Sequence, residues 1–537
     1  MRSSVFLILA FLFIKPTTVQ ERPQDFLPSD FHKSRRDAVR SMMPDNSVAV
    51  FFASAVRNRA NDVDYIYHQD PDFYYLTGYN EPNAVLLLFS KDQQNKKGES
   101  YNEIIYVQKR DPRAEQWNGK RLGVEGVKNN LGFNQVYNGE DFASLSIDFS
   151  SFYKTLFFNF NNDVRDARGN ADLFDLIKQF KNKTNYPADY NPIKQQLYSL
   201  IKATDVENSA NVAQTLGRYL NFYTDLKSDK LINDYINAKD NGLKKDVKEK
   251  VVLALSGNNL DSQLPNEIMS TLRETKTEEE MKLLKKAVEI SAVGQIEVMK
   301  AMRPNMSETE IQGIHEYVYK KYGAEYEGYP SIVGGGHNGC ILHYIENNKP
   351  KVGDDLVLMD LGAEYHGYTA DVTRTIPANG KFSPEQKAIY QLVYDAQEAG
   401  IKASVLGADF SAPERAARAV INKGLMDLGI IKSEREGRKY FPHGTSHYLG
   451  LDVHDKGLYG PFKENTVITV EPGIYIPEGS DCDEKWWGIA VRIEDDILIT
   501  KDGPVNLSAM APRKIEDIEN LMAQKSALDD FILPKLD

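Results

Sequence analysis

The amino-acid sequence predicts a mixed α/β chain of two or three domains, with its chemistry in the C-terminal one. Three observations carry this reading. At 537 residues the chain exceeds the size at which single hydrophobic cores stop growing, about 250 to 300 residues. From Ser47 to about Val107 the apolar runs VAVFFA and AVLLLF alternate with polar turns, as strands and loops do. Seven of the nine histidines lie between His315 and His454, in the same region as a series of acidic motifs.

The elements follow in chain order. Residues 1–20, MRSSVFLILAFLFIKPTTVQ, place Arg2 ahead of an apolar run from Val5 to Ile14 that Lys15 and Pro16 close. This is the pattern of a signal peptide and predicts a secreted or periplasmic protein. Ten apolar residues fall short of the roughly 20 needed to cross a hydrocarbon layer, and no later segment is long enough, so no integral membrane span is expected. Residues 21–190 read as one N-terminal α/β domain, in which strand-like YKTLFFNF and helical DLFDLIKQF continue the alternation. Its Tyr-rich stretch DFYYLTGYNEPNA either covers a pocket or packs in a core. Residues 191–270 turn rich in Lys, Asn and Asp, with apolar residues at helical spacing, and read as a helical insertion or connector without visible chemistry. Residues 271–523 form the C-terminal domain. It opens on Thr277 and Glu280, a capping-box spacing ahead of Met281, Leu284 and Val288, and a second helix follows from Glu308, capped by Ser307 and Glu310. Residues 524–537 are a tail.

Composition narrows the function classes. At 41% hydrophobic and 26% charged the chain is ordinary for a globular protein. With 65 basic against 77 acidic residues its net charge is −12, and phosphate repels it, so no nucleic-acid partner is expected. Only Cys340 and Cys482 are present, so disulfides are not a main source of stability.

The chemistry begins in LVLMDLGAEYHGYTADVTRT, two strand-like runs around a short polar turn. A turn centred between Tyr365 and His366 sets Asp360 opposite Asp371. Directly opposed carboxylates, about 4.5 to 5.5 Å apart at Cβ, repel unless one is protonated or a cation lies between them. A register displaced by one or two residues would leave both solvated instead. Further on, ENTVITVEPGIYI and WGIAVRIEDDILIT each carry a glutamate where core packing would place an apolar side chain, Glu471 and Glu494. Arg492 and Glu494 share one strand face, which points into a cleft or to solvent. Pro472 and Gly473 should end the ladder beside Glu471. The segment FPHGTSHYLGLDVHD adds His443, His447 and His454, and GCILHYIENN adds His343. Four carboxylates with one or more imidazoles suit hard or borderline divalent ions such as Mn²⁺, Co²⁺ or Zn²⁺. Two such ions about 3.5 to 4 Å apart generate a nucleophilic hydroxide near neutral pH and polarise a carbonyl, which implies hydrolysis.

The order Asp360, Asp371, His447, Glu471, Glu494, in the strings MDLGAEYHGYTADVTRT, HGTSHYLGLDVHD, TVEPGIYI and VRIEDD, resembles the pita-bread metallopeptidases, and within them the aminopeptidase P (Xaa-Pro aminopeptidase) family. NRANDVDYIYHQDPDFYYLTGYNEPNAVLLLF is similar to that family's N-terminal creatinase/aminopeptidase-P-like domain. The resemblance implies a pita-bread catalytic domain that binds two divalent ions, Mn²⁺ foremost, and removes the N-terminal residue of peptides with proline in second position. It implies that Asp371 and Glu494 bridge both ions, Asp360 completes one, and His447 with Glu471 completes the other. Glu471 would also carry the proton from the bridging hydroxide to the leaving proline nitrogen. His343 and His454 would be catalytic and substrate-holding, with His443, Tyr475 and Arg492 around the substrate, and the chain would form a dimer or tetramer. Prolidase, which cleaves Xaa-Pro dipeptides, is the nearest rival. Methionine aminopeptidase normally lacks such an N-terminal domain, and a non-catalytic pita-bread peptide-binding module usually loses metal ligands that are intact here.

Overall fold

The computed structural model describes residues 25–95, 97–160, 169–531 and 533–534. The expected signal peptide at 1–20 lies outside these residues. The N-terminal domain is built on a six-stranded mixed sheet in the order Val136–Asn138, Ser100–Val107, Val85–Gln94, Ser47–Phe52, Lys154–Phe157, Leu260–Asp261. Ser47–Phe52 runs antiparallel to Val85–Gln94 and parallel to Lys154–Phe157. After Ser47 it is apolar throughout, because both of its faces are covered. Val48, Val50, Leu87 and Phe89 pack on one side. Ala49, Phe51, Leu86 and Leu88 join a core that continues into the C-terminal domain.

The Tyr-rich stretch is a short helix, Pro71–Thr77, capped by the Asp70 side chain and stopped by Gly78 at φ 65°. Phe73, Tyr74, Tyr75 and Leu76 are buried in the core shared by the two domains, and the Tyr75 hydroxyl donates to the Leu272 carbonyl at 3.2 Å. Of the two roles its sequence leaves open, the fold selects core packing. Within residues 191–270 the helices Pro192–Ala203, Ser209–Phe222, Lys230–Asn237 and Asn241–Leu255 enclose a separate core that includes Leu197, Ile201, Leu216, Ile232 and Val251. The chain then rejoins the N-terminal sheet as the edge strand Leu260–Asp261, and the helix Leu264–Arg273 carries it into the next domain.

The C-terminal domain repeats one plan twice. A packed helix pair, Glu278–Ala301 with Glu308–Tyr322, precedes the antiparallel strands Ile332–Gly335, Leu356–Leu361 and Val372–Pro377. A second pair, Pro384–Ala403 with Ala412–Asp427, precedes the strands Val467–Val470, Asp495–Thr500 and Gly503–Asn506, and the ribbon Gly473–Ile476 with Ile489–Arg492. Thr277 and Glu280 form the expected reciprocal capping box; at the second helix Ser307 accepts from the Glu310 backbone N–H, but the Glu310 side chain does not return the bond, so only half of that expected cap is formed. Cys340 and Cys482 are both free. Among the described residues no helix is long and apolar enough to cross a membrane.

Candidate metal centre

The hairpin carrying the two aspartates is folded differently from its sequence-based register. Its turn is His366–Gly367, both at positive φ (51° and 90°), so Tyr365 faces Tyr368, and Asp360 faces Thr373 rather than Asp371. A two-residue turn of this hand matches the twist of the strands, and glycine supplies one of its positive φ angles. The imidazole of His366 is held between Glu325 (2.7 Å) and Asp25 (2.9 Å), which fixes the other. The displacement is two residues, an even number, so side-chain faces are preserved. A break at Gly362 then brings the carboxylates together. A Cβ there would lie 1.8 Å from the Ala370 carbonyl oxygen, so the strands close only over glycine, and Asp371 sits in the bend between Tyr368–Thr369 and Val372–Pro377.

Asp360 and Asp371 converge on one group that sequence reasoning missed. The Tyr329 hydroxyl is 2.6 Å from Asp360 Oδ1 and 2.5 Å from Asp371 Oδ1. Glu471 occupies the interruption between Val467–Val470 and Gly473–Ile476; the ladder breaks at Glu471 and Pro472 as expected, but Gly473 opens the next strand, paired with Arg492. Glu494 follows Ile489–Arg492, and its carboxylate accepts from the Thr373 hydroxyl at 2.6 Å. His447 Nε2 lies 3.4 Å from Asp371 and 3.7 Å from Glu471. One donor atom each from Asp371, His447 and Glu494 fall within 4.8 Å of one another.

The electrostatics of the cluster describe a site with surplus negative charge. Burial, then the neighbouring carboxylates, push Glu494 well above the usual carboxylate range. Burial raises Glu471 to about 8, with His447 opposing and Asp371 adding to the rise. Asp371 is raised by burial and by Asp360. Burial opposes charge on Asp360 too, but Arg492 and Tyr329 hold its pKa below the ordinary value. Burial disfavours the charged form of His447, yet Asp371 and Glu471 lift it to about 9. Oxygen donors that repel one another, with one imidazole among them, fit divalent cations.

The remaining predicted residues surround this cluster. A cavity of about 580 Å³ is lined by all five ligand candidates together with Tyr329, His343, His443, His454 and Arg492. Tyr475 is not on its wall but directly behind it. Arg492 donates to Asp360 and, at 2.8 Å, to the Tyr475 hydroxyl, which lies 2.8 Å from His443 Nε2. His443 Nδ1 faces the Gly444 carbonyl at 2.7 Å, so Nδ1 carries the proton and Nε2 accepts from Tyr475. Burial and Arg492 push the His443 pKa down to about 4, consistent with that neutral tautomer. The ring of His454 meets that of His447 edge-on at 4.3 Å.

Two glutamines pin the ligand strands, one from each half. Gln295 donates to the carbonyls of Met359 and Val372, the neighbours of Asp360 and Asp371. Gln397 donates to the carbonyl of Val470 and to Asp495, the neighbours of Glu471 and Glu494. Asp496, buried behind the cluster, accepts from the Asp371 backbone N–H at 3.2 Å.

A helix pair and strands repeated about three buried carboxylates, the part-buried Glu471 and a histidine make the site of a metal-dependent enzyme, and comparison with known proteins shows it to be a metallopeptidase. Metallopeptidase family M24 matches residues 282–501, and the aminopeptidase P N-terminal domain matches residues 32–154. The chain is 35% identical over 508 residues to a Xaa-Pro aminopeptidase of Haemophilus influenzae, covering 92% of this chain and 98% of that protein, and 33% identical over 505 residues to that of Escherichia coli. Among solved structures, E. coli aminopeptidase P with the inhibitor Pro-Leu superposes at a TM-score of 0.71 with 29% identity, covering 93% of this chain and 98% of that one. Pseudomonas aeruginosa aminopeptidase PepP does so at 0.71 with 30% identity. The chain belongs to the aminopeptidase P family and is a metallo-aminopeptidase with a pita-bread catalytic domain.

Proposed function

We propose that this enzyme hydrolyses the bond before proline in peptides with proline in second position, through a pair of divalent ions, Mn²⁺ foremost, held by Asp360, Asp371, His447, Glu471 and Glu494. The observation that carries the proposal is the convergence of these five groups on one cavity that His343 and His454 also line. When bound, the two ions supply a Lewis acid and lower the pKa of an attacking water. Everything else falls to the chain. Glu471 accepts the proton of that water and delivers it to the departing proline nitrogen, which leaves as a secondary amine. His343 and His454 hold the scissile carbonyl oxygen and stabilise the charge that develops on it. Arg492 and Tyr475 orient Asp360 and His443 through the contacts described above.

That Asp371 and Glu494 would hold an ion together with His447 is supported by their donor atoms, which lie within 4.8 Å of one another. Preference for longer peptides over Xaa-Pro dipeptides is supported by the Xaa-Pro aminopeptidases that match over nearly their whole length. Assays with Ala-Pro-Ala and Ala-Pro, with and without Mn²⁺, test this. A preference for the dipeptide would instead make the enzyme a prolidase.

Export by a signal peptide at residues 1–20 is supported by Arg2 followed by the apolar run Val5 to Ile14. Amino-terminal sequencing of the exported protein tests it. Assembly into a homo-oligomer is supported by Tyr65, Ile66 and Trp117, large apolar side chains exposed on the N-terminal domain, and sedimentation tests it.

A further inference from the structure

Every residue that lines the metal cavity belongs to the C-terminal domain. The N-terminal domain nevertheless reaches the cavity through a buried ion network. His454 lies in a segment, residues 451–460, that forms neither helix nor strand, so backbone ladders do not hold its shape. Side chains hold it instead. Asp455, next to His454, is almost fully buried and receives Arg273 on one oxygen and Lys276 on the other, the latter at 3.1 Å. Arg273 also donates to Asp72 of the N-terminal helix Pro71–Thr77 at 2.7 Å. Lys456, two residues beyond His454, donates to the second oxygen of Asp72 at 2.6 Å and to Asn266 at 3.1 Å.

Both residues that follow His454 are therefore tied to one N-terminal carboxylate, directly through Lys456 or by way of Arg273. The segment is further fitted to this arrangement. The Asp455 N–H donates to the Tyr448 carbonyl at 2.9 Å, and a Cβ at Gly450 would sit 2.0 Å from Asp455 Oδ2, so the loop folds back only over glycine. With Asp72, Arg273, Lys276 and Asp455 all buried, the network is shielded from solvent and its geometry is rigid.

We infer that Asp72, with Arg273 and Asp455, is a positioning network for His454, through which the N-terminal domain sets the geometry of a catalytic histidine it never touches. Asp72 acts through His454 and is not itself catalytic. The inference rests on the assignment of His454 to the substrate carbonyl. Its consequence is specific: changes to Asp72 alter turnover by way of one imidazole, while the four carboxylate ligands, whose neighbours Gln295 and Gln397 hold, keep their arrangement.

A double-mutant cycle tests this, with Asp72→Asn, His454→Ala and the double variant assayed as metal-loaded full-length protein on Ala-Pro-Ala. Asp72→Asn should lower kcat by roughly 10- to 100-fold, the range for loss of a supporting partner, with bound-metal stoichiometry unchanged. In the His454→Ala background the same substitution should lower kcat by less than about twofold, since the residue it positions is gone. Equal losses in both backgrounds, or loss of metal from Asp72→Asn, would overturn the inference. A normal kcat in His454→Ala would instead remove the assignment of His454 on which it rests. Should Asp72→Asn fail to fold, Lys456→Gln, which removes one tie at a half-buried position, is read through the same cycle.

Discussion

Gln295→Leu isolates what holds one ligand pair in register. Leucine nearly preserves the volume of the side chain, so the loss is dominated by two hydrogen bonds, to the Met359 carbonyl at 3.1 Å and the Val372 carbonyl at 2.7 Å. Each such bond contributes a net ~1 kcal/mol, and both carbonyls keep their ladder partners across the strand pair when Gln295 is replaced. The Gln295 side-chain oxygen is itself buried without a partner, and removing it offsets part of that loss. The balance is a destabilisation of about 1 to 2 kcal/mol in the metal-free protein. These carbonyls adjoin Asp360 and Asp371, so the penalty falls on the arrangement the ions require, and about 1.4 kcal/mol of it corresponds to tenfold in affinity. Calorimetric titration of Mn²⁺ into the metal-free variant should show binding weakened by roughly tenfold, and urea unfolding should report the stability loss. Wild-type affinity in a destabilised variant would show that Gln295 supports the fold and not the site.

Three further outcomes are expected. Tyr329→Phe removes the hydroxyl that Asp360 and Asp371 share, and should weaken Mn²⁺ binding while leaving the far-ultraviolet circular dichroism unchanged; unaltered affinity would deny Tyr329 a part in the site. Gly362→Ala forces a methyl group onto the Ala370 carbonyl and should lower the melting temperature and the metal content together, whereas a variant with full metal content would show that the bend is not needed. In the metal-free protein Glu471 is raised to about 8 and His447 to about 9, so between their unfolded and folded pKa values the native state binds more protons than the unfolded one. Stability then decreases with rising pH, from about 4.5 to 8 for Glu471 and from about 6.5 to 9 for His447. Thermal unfolding of metal-free protein from pH 7 to 9, above the range in which the neutral, depressed His443 contributes the opposite slope, should show a falling Tm that saturating Mn²⁺ abolishes, and a Tm that rises with pH there would contradict the charge arrangement.

Much of this was legible because it follows from local chemistry. The capping box at Thr277 and Glu280, the apolar runs that became the N-terminal sheet, and carboxylates in otherwise apolar strands are each visible within a dozen residues. The hairpin register was not, since the turn centre depends on which residues take positive φ, and His366 does so with support from Glu325 and Asp25, distant in sequence. Tyr329 stands 31 residues before Asp360 in a segment without periodicity, and only tertiary folding brings it to the aspartates. Gln295 did leave a signal. It stands with Ser291 on the helix face of Leu284, Val288 and Val298, a polar pair at core spacing, and both side chains bond the hairpin.

The central claim, that five side chains hold a pair of ions which hydrolysis requires, is tested most directly by counting metal in Asp371→Asn beside the unaltered enzyme and assaying both on Ala-Pro-Ala. The unaltered protein should bind two Mn²⁺ per chain and turn over the peptide, while the variant loses at least one ion and most of its activity. Two ions and undiminished turnover in Asp371→Asn would contradict it.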